Sequence, residues 1–136
     1  MSTLKAAAEH LAQHDPVLAP VIAGAGLATL KPHRNYYQSL CDSIISQQLS
    51  VKAAATIERR FKELFGLTDF PPPDMILNKS VEELRSVGLS QAKANYIRDL
   101  PEHIVDGRVK FDHFDSLSND EIIAELTDVK GIGEWT

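Results

Sequence analysis

The sequence predicts an all-α fold, a helical bundle around a buried core. Three observations carry that prediction. Serine and aspartate recur just before apolar-periodic runs, and Ser80 and Ser118 each have a glutamate three residues later, the mark of a capping box. Apolar residues repeat at spacings of three and four, with little strict alternation. Glycines stand where several of those runs stop. With 136 residues, 43% of them hydrophobic and 24% charged, the chain can bury a real core and has an ordinary globular composition.

In chain order, Leu4 to Leu11 is alanine-rich and helical, with Ser2 and Thr3 available as caps. Asp15-Pro16 reads as an N-cap followed by proline at the first helical position, opening a helix that ends near Gly24 or Gly26. The connector LKPHRN, residues 30–35, leads to Tyr37, Leu40, Cys41, Ile44 and Ile45, one apolar helix face whose next step falls on Gln48. Ser50 then N-caps a helix with Val51, Ala54, Ile57, Phe61, Leu64 and Phe65 as its apolar set, stopped by Gly66. FPPPD, residues 70–74, reads as a rigid loop, because prolines cannot continue a helix. Ser80 with Glu83 caps a short helix closed by Gly88. Ser90 opens the next, with Ala92, Tyr96, Leu100 and Ile104 facing inward and Gly107 at its end. GRVKFDHF, residues 107–114, is the segment that hints at extended structure. Ser118 with Glu121 opens a last capped helix through Ile122, Ile123 and Leu126.

Several function classes are disfavoured by composition. No apolar run is long enough to span a membrane, and the polar N-terminus lacks the apolar core of a signal peptide. One cysteine, Cys41, excludes an internal disulfide and points to a reducing, cytosolic setting; its place on an apolar helix face makes it a packing residue. The five histidines form no cluster at zinc-ligand spacing, and no phosphate-binding P-loop, nucleophile elbow or H-E-x-x-H motif is present. A net charge of −5 argues against coating nucleic acid by bulk attraction, but leaves room for local phosphate contacts.

Two stretches carry chemistry. In LTDVKGIGEWT, residues 126–136, a helix ends at Leu126-Thr127, Val129-Lys130-Gly131-Ile132-Gly133 turns tightly, and a new helix starts at Glu134. Glycines permit positive φ and close backbone approach, and a helix N-terminus adds a favourable dipole, so free backbone N–H groups would converge on a phosphate while Ile132 anchors the turn by packing. The alternative is a helix-to-helix connection with no ligand, which Gly-Ile-Gly alone would favour; the flanking Leu-x-x-Val-Lys and Trp-Thr favour the phosphate. In Ser46-Gln47-Gln48-Leu49-Ser50, two adjacent amides occupy a helix junction. Either they cap local backbone groups or they present donors and acceptors to a ligand.

IISQQLSVKAAATI together with LTDVKGIGEWT resembles the helix-hairpin-helix DNA base-excision glycosylases, and within them the DNA-3-methyladenine glycosylase II (AlkA) type; LRSVGLSQAKANYIRDLPEHIVDG is similar to that family's G-x-S-x-x-K-x-x-Y-I region. The resemblance covers residues 35–136 or so. It implies DNA repair: monofunctional hydrolysis of the N-glycosidic bond of alkylated purines, flipped out of duplex DNA. The hairpin residues Lys130, Gly131, Ile132 and Gly133 would grip a phosphate. The carbonyls of Thr127, Val129 and Ile132 would hold a monovalent cation, Na or K, with no other cofactor. Gln48 would plug the stack, with Gln47, Leu49 and Ser50 beside it at the DNA. Trp135 would line the base pocket; standing where bifunctional relatives carry a Schiff-base lysine, it argues against lyase chemistry.

The family's catalytic aspartate is expected beyond Thr136, and neither Asp128 nor Glu134 matches its position. The resemblance therefore implies a bundle of the glycosylase type incomplete at its C-terminus, inactive alone. Residues 1–34 would be helices lacking a packing partner, and residues 35–136 a helical domain ending in the hairpin. The implied partner is duplex DNA containing alkylated bases, bound by a monomer without a membrane. The implied location is the cytoplasm and nucleoid of a bacterium or the nucleus of a eukaryote. The alternatives are a non-catalytic helix-hairpin-helix DNA-binding module and a helical interaction protein.

Overall fold

The computed structural model describes residues 3–29, 31 and 35–136. Ser2 and most of the connector before Asn35 lie outside the described residues. The described residues are helical, without strands, as the spacing predicts. They form two compact units, Met1–His33 and Arg34–Thr136.

The first unit is a pair of helices, α1 (Thr3–His14) and α2 (Leu18–Ala25). Asp15 caps as expected in function, its carboxylate accepting from the amides of Val17 and Leu18 at 2.8 and 3.0 Å, although α2 itself starts two residues after Pro16. Leu18 and Val21 are exposed.

The second unit holds the core. Asn35 caps α3 (Tyr36–Ser46), whose Cys41, Ile44 and Ile45 are fully buried. Burial pushes the Cys41 thiol well above its ordinary range, so it stays protonated and serves packing. The apolar stripe does not reach Gln48, because α3 stops at Ser46 and Gln48 adopts a left-handed φ of 56° in the turn that follows. Ser50 caps α4 (Val51–Leu64), with Phe61 buried. Val51, expected on the inner face, is 89% exposed instead, since the first turn of α4 projects past the core.

FPPPD contains a helix start that the loop reading missed. Pro73 opens α5 (Pro73–Leu77), where a missing N–H costs nothing at the first helical position. The Ser80–Glu83 capping box closes on α6 (Val81–Arg85) as expected.

Helix α7 (Gln91–Val105) is the central element, packed against α3, α5 and α6. Its buried face is Ala94, Ile97, Leu100, Pro101 and His103; Ala92, expected inward, lies on the exposed side. The segment expected to be extended is a 3-10 turn, Phe111–Ser116, with only Lys110 extended before it. Phe114 enters the core, and Glu125 ties the segment down by accepting from the Lys110 amide at 2.9 Å and contacting His113 Nε2 at 3.0 Å. Local aromatic packing thus overrides the weak alternation in sequence. The Ser118–Glu121 capping box opens α8 (Asn119–Thr127).

Candidate functional site

Helix α8 ends in the glycine turn singled out by its sequence. Val129 and Ile132 are buried and pin the turn to the core, the anchoring expected of Ile132. Gly131 takes a φ of +86°, and a Cβ there would sit 2.4 Å from the Tyr96 ring, so the position excludes any side chain on two independent grounds. Gly133 differs from the expectation of positive φ. Its backbone is ordinary, and a Cβ would meet nothing within 4 Å. Only close approach from outside can require a glycine there.

The amides of the turn are less free than the sequence suggests. The Lys130 N–H donates to Asp99 Oδ2 at 2.8 Å, the Ile132 N–H to the Val129 carbonyl at 3.1 Å, and the Gly133 N–H to Thr136 Oγ1 at 3.0 Å. A turn closed by the Thr136 N–H on the Gly133 carbonyl stands where the new helix was expected at Glu134. Thr136 Oγ1 occupies the direction a ligand oxygen would take toward the Gly133 amide, and its hydroxyl can rotate away. The Lys130 side chain is exposed, its ammonium 3.7 Å from Asp99, a contact worth little in water. Trp135 is 99% exposed.

The glutamine pair divides its labour. Gln47 is half-buried and donates from Nε2 to the Gly131 carbonyl at 2.8 Å, spanning 84 residues to join its turn to the hairpin. Gln48 is exposed and makes no such link; Leu49 is also exposed, and Ser50 is engaged as the cap of α4. Of the two readings left open by the sequence, tertiary capping describes Gln47, while Gln48 is free to present its amide outward. An open cleft of about 400 Å³ runs along this turn, lined by Gln47, Gln48, Ser90, Ala92, Lys93 and Tyr96.

The cation expected from the resemblance is tested by its carbonyls. The Val129 carbonyl accepts one hydrogen bond, from Ile132, and keeps a lone pair; those of Thr127 and Ile132 accept none among the described residues. Their chemistry therefore fits a hard monovalent cation. No group of His, Cys, Asp or Glu among the described residues could hold another metal.

Residues outside the candidate set support this arrangement, Lys93 from the G-x-S-x-x-K-x-x-Y-I region and His103 without any motif. Lys93 donates to the Ile45 and Gln47 carbonyls at 2.7 and 2.6 Å, closing the C-terminus of α3, and desolvation holds its ammonium below the usual lysine range. His103 is 3% exposed. Its Nδ1 lies 2.9 Å from the Asp99 carbonyl, an acceptor, and so carries the proton; Nε2 sits 2.9 Å from the Arg108 guanidinium and 3.1 Å from Asp128. Nε2 then accepts from Arg108, and the largely exposed Asp128 carboxylate lies beside this pair. Polarity does not mark out Lys93, Asp99 and His103, because α7 also carries Gln91, Asn95, Arg98 and Glu102, and the partners of the three include groups far along the chain.

The sequence model of the HhH-GPD superfamily base excision DNA repair proteins matches residues 41–133. The chain is 37% identical to DNA-3-methyladenine glycosylase 1 of Schizosaccharomyces pombe over 101 residues, 74% of this chain and 44% of that protein. Among solved structures it is similar to the DNA-3-methyladenine glycosidase of Bacillus halodurans, with a TM-score of 0.80 at 38% identity over 92% of this chain and 57% of the other. It is also similar to the S. pombe 3-methyladenine DNA glycosylase Mag1 in complex with abasic DNA, with a TM-score of 0.78 at 32% identity over 95% of this chain and 65% of the other. The chain thus spans about half to two thirds of the length of these relatives.

Proposed function

Because the chain belongs to the HhH-GPD superfamily of base excision DNA repair proteins, we propose that it is the duplex-gripping part of a DNA-3-methyladenine glycosylase of the type II (AlkA) kind. The observation that carries this reading is the hydrogen bond from Gln47 to Gly131, which joins an exposed glutamine turn to a hairpin whose Gly133 has no internal need to be glycine.

In this reading the hairpin of Lys130, Gly131, Ile132 and Gly133 holds a phosphate beside an alkylated nucleotide through the Gly131 and Gly133 N–H groups and the Lys130 ammonium, with Ile132 as the buried anchor. Thr136 Oγ1 releases the Gly133 amide to the phosphate oxygen. A monovalent cation on the carbonyls of Thr127, Val129 and Ile132 would supply positive charge behind that phosphate. Gln48, already projecting in a left-handed turn, fills the gap left by the extruded nucleotide, with Leu49 and Ser50 alongside. Trp135, fully exposed in this chain, stacks on the flipped alkylpurine, whose positive charge an electron-rich ring favours. The protein acts as a monomer on duplex DNA.

The reaction adds water to C1′ of the sugar and releases the base, leaving an abasic site. Residues 3–136 supply grip, plug and stacking. The carboxylate that stabilises the oxocarbenium-like sugar is not among them, since Asp99 holds the hairpin and Asp128 and Glu134 lie outside the position expected of the catalyst. With no lysine in place of Trp135, borohydride added during incubation with abasic DNA traps no adduct.

Two assays test the reading. A labelled duplex containing an abasic-site analogue should bind the chain more tightly than the same duplex intact, and methylated DNA should release no 3-methyladenine. Equal, salt-insensitive affinity for the two duplexes would refute the grip, and robust base release would refute the missing carboxylate.

A further inference from the structure

Lys93, Tyr96 and Asp99 follow one another at three-residue spacing along α7, and each reaches a different part of the candidate interface. Lys93 holds the Gln47 carbonyl, Gln47 donates to the Gly131 carbonyl, the Lys130 N–H next to it donates to Asp99, and Asp99 returns to α7. These contacts form a closed circuit with Tyr96 packed against Gly131 at its centre. We propose that Lys93 and Asp99 are positioning residues, which act through this circuit to hold the Gln47–Gln48 turn and the hairpin at one fixed spacing.

Backbone conformation makes the circuit necessary. A glutamine at φ 56° is strained and persists only where its surroundings over-determine it. Lys93 does so from one side, by satisfying two carbonyls left over at the end of α3. On the other side Lys130 lies beyond the last helical residue of α8, and its amide is satisfied by Asp99. Gln47 belongs to both halves, because its carbonyl faces Lys93 and its side-chain amide faces Gly131. Loosening Lys93 therefore loosens the hairpin, although among the described residues the Lys93 ammonium bonds only to the Ile45 and Gln47 carbonyls.

The consequence for DNA rests on the function proposed above, but the first readout does not. Amide hydrogen exchange is followed residue by residue on the whole chain without DNA. In Lys93→Met, which keeps the aliphatic stem, the Lys130 and Ile132 amides should exchange at least about tenfold faster, the scale set by one charge-assisted hydrogen bond. Core amides such as Ile97 and Leu100 should stay protected, and Lys93→Arg should restore the hairpin. Gln47→Ala should reproduce the effect, and decides the matter if Lys93→Met fails to fold. Hairpin exchange unchanged from wild type in these variants would overturn the proposal.

The second arm measures affinity for a duplex with an abasic-site analogue. A drop of about tenfold in Lys93→Met, recovered by Lys93→Arg, supports a role of the spacing in binding, and an unchanged affinity overturns that role. If the wild-type chain binds no duplex while the exchange result holds, the positioning stands and the DNA reading falls.

Discussion

Two glycines of the hairpin separate structural from functional demands. Gly131 is fixed from inside by positive φ and by the Tyr96 ring. Gly131→Ala should cost at least about 1–2 kcal/mol from the backbone alone, read as a lower denaturation midpoint. Gly133 carries no such demand, so its replacement isolates what approaches from outside. Asp42 presents a different residue-scale test. Its Oδ1 is buried without a partner, and desolvation, followed by the Glu58 charge, raises its pKa. A carboxyl raised on folding costs stability above its unfolded pKa, increasingly as pH climbs through the folded value, and costs none below the unfolded one. Asp42→Asn should therefore gain stability relative to wild type at pH 7, and that gain should shrink as the pH falls toward about 4 and vanish below it. Paired denaturant melts at the two pH values would expose the opposite trend.

At the scale of elements, most helices were legible because their signals are local. Both capping boxes and the serine caps at 50 and 90 formed as the sequence indicated. The prolines of residues 71–73 predict a break, yet Pro73 fills the first helical position of α5, where proline is tolerated. The segment before Phe114 turned helical because aromatic burial decided it. The candidate site was half legible. Its turns are visible as motifs, but the Gln47–Gly131 and Lys130–Asp99 bonds join positions 84 and 31 residues apart, and no local pattern announces them. Since α7 carries those supports, its cap has reach. Ser90→Ala removes the hydrogen bond to the Lys93 amide, 3.2 Å in the native chain, and should cost about 1 kcal/mol of stability.

The whole molecule carries a net charge of −5, so any grip on DNA has to come from local groups rather than a basic field. Affinity for a duplex should then fall with salt along a shallow slope, about −0.9 in log–log terms for each phosphate neutralised, with only a few phosphates involved. A slope as steep as that of strongly basic DNA-binding proteins would point to a surface other than the hairpin. The most direct test of the central claim, that the hairpin backbone seats a DNA phosphate, is the affinity of Gly133→Ala for a duplex with an abasic-site analogue, measured beside its thermal midpoint. Gly133→Ala should leave the midpoint unchanged and weaken the affinity about tenfold, because the added methyl blocks an approach that nothing inside the protein uses. Wild-type affinity in a stably folded Gly133→Ala chain would contradict that claim.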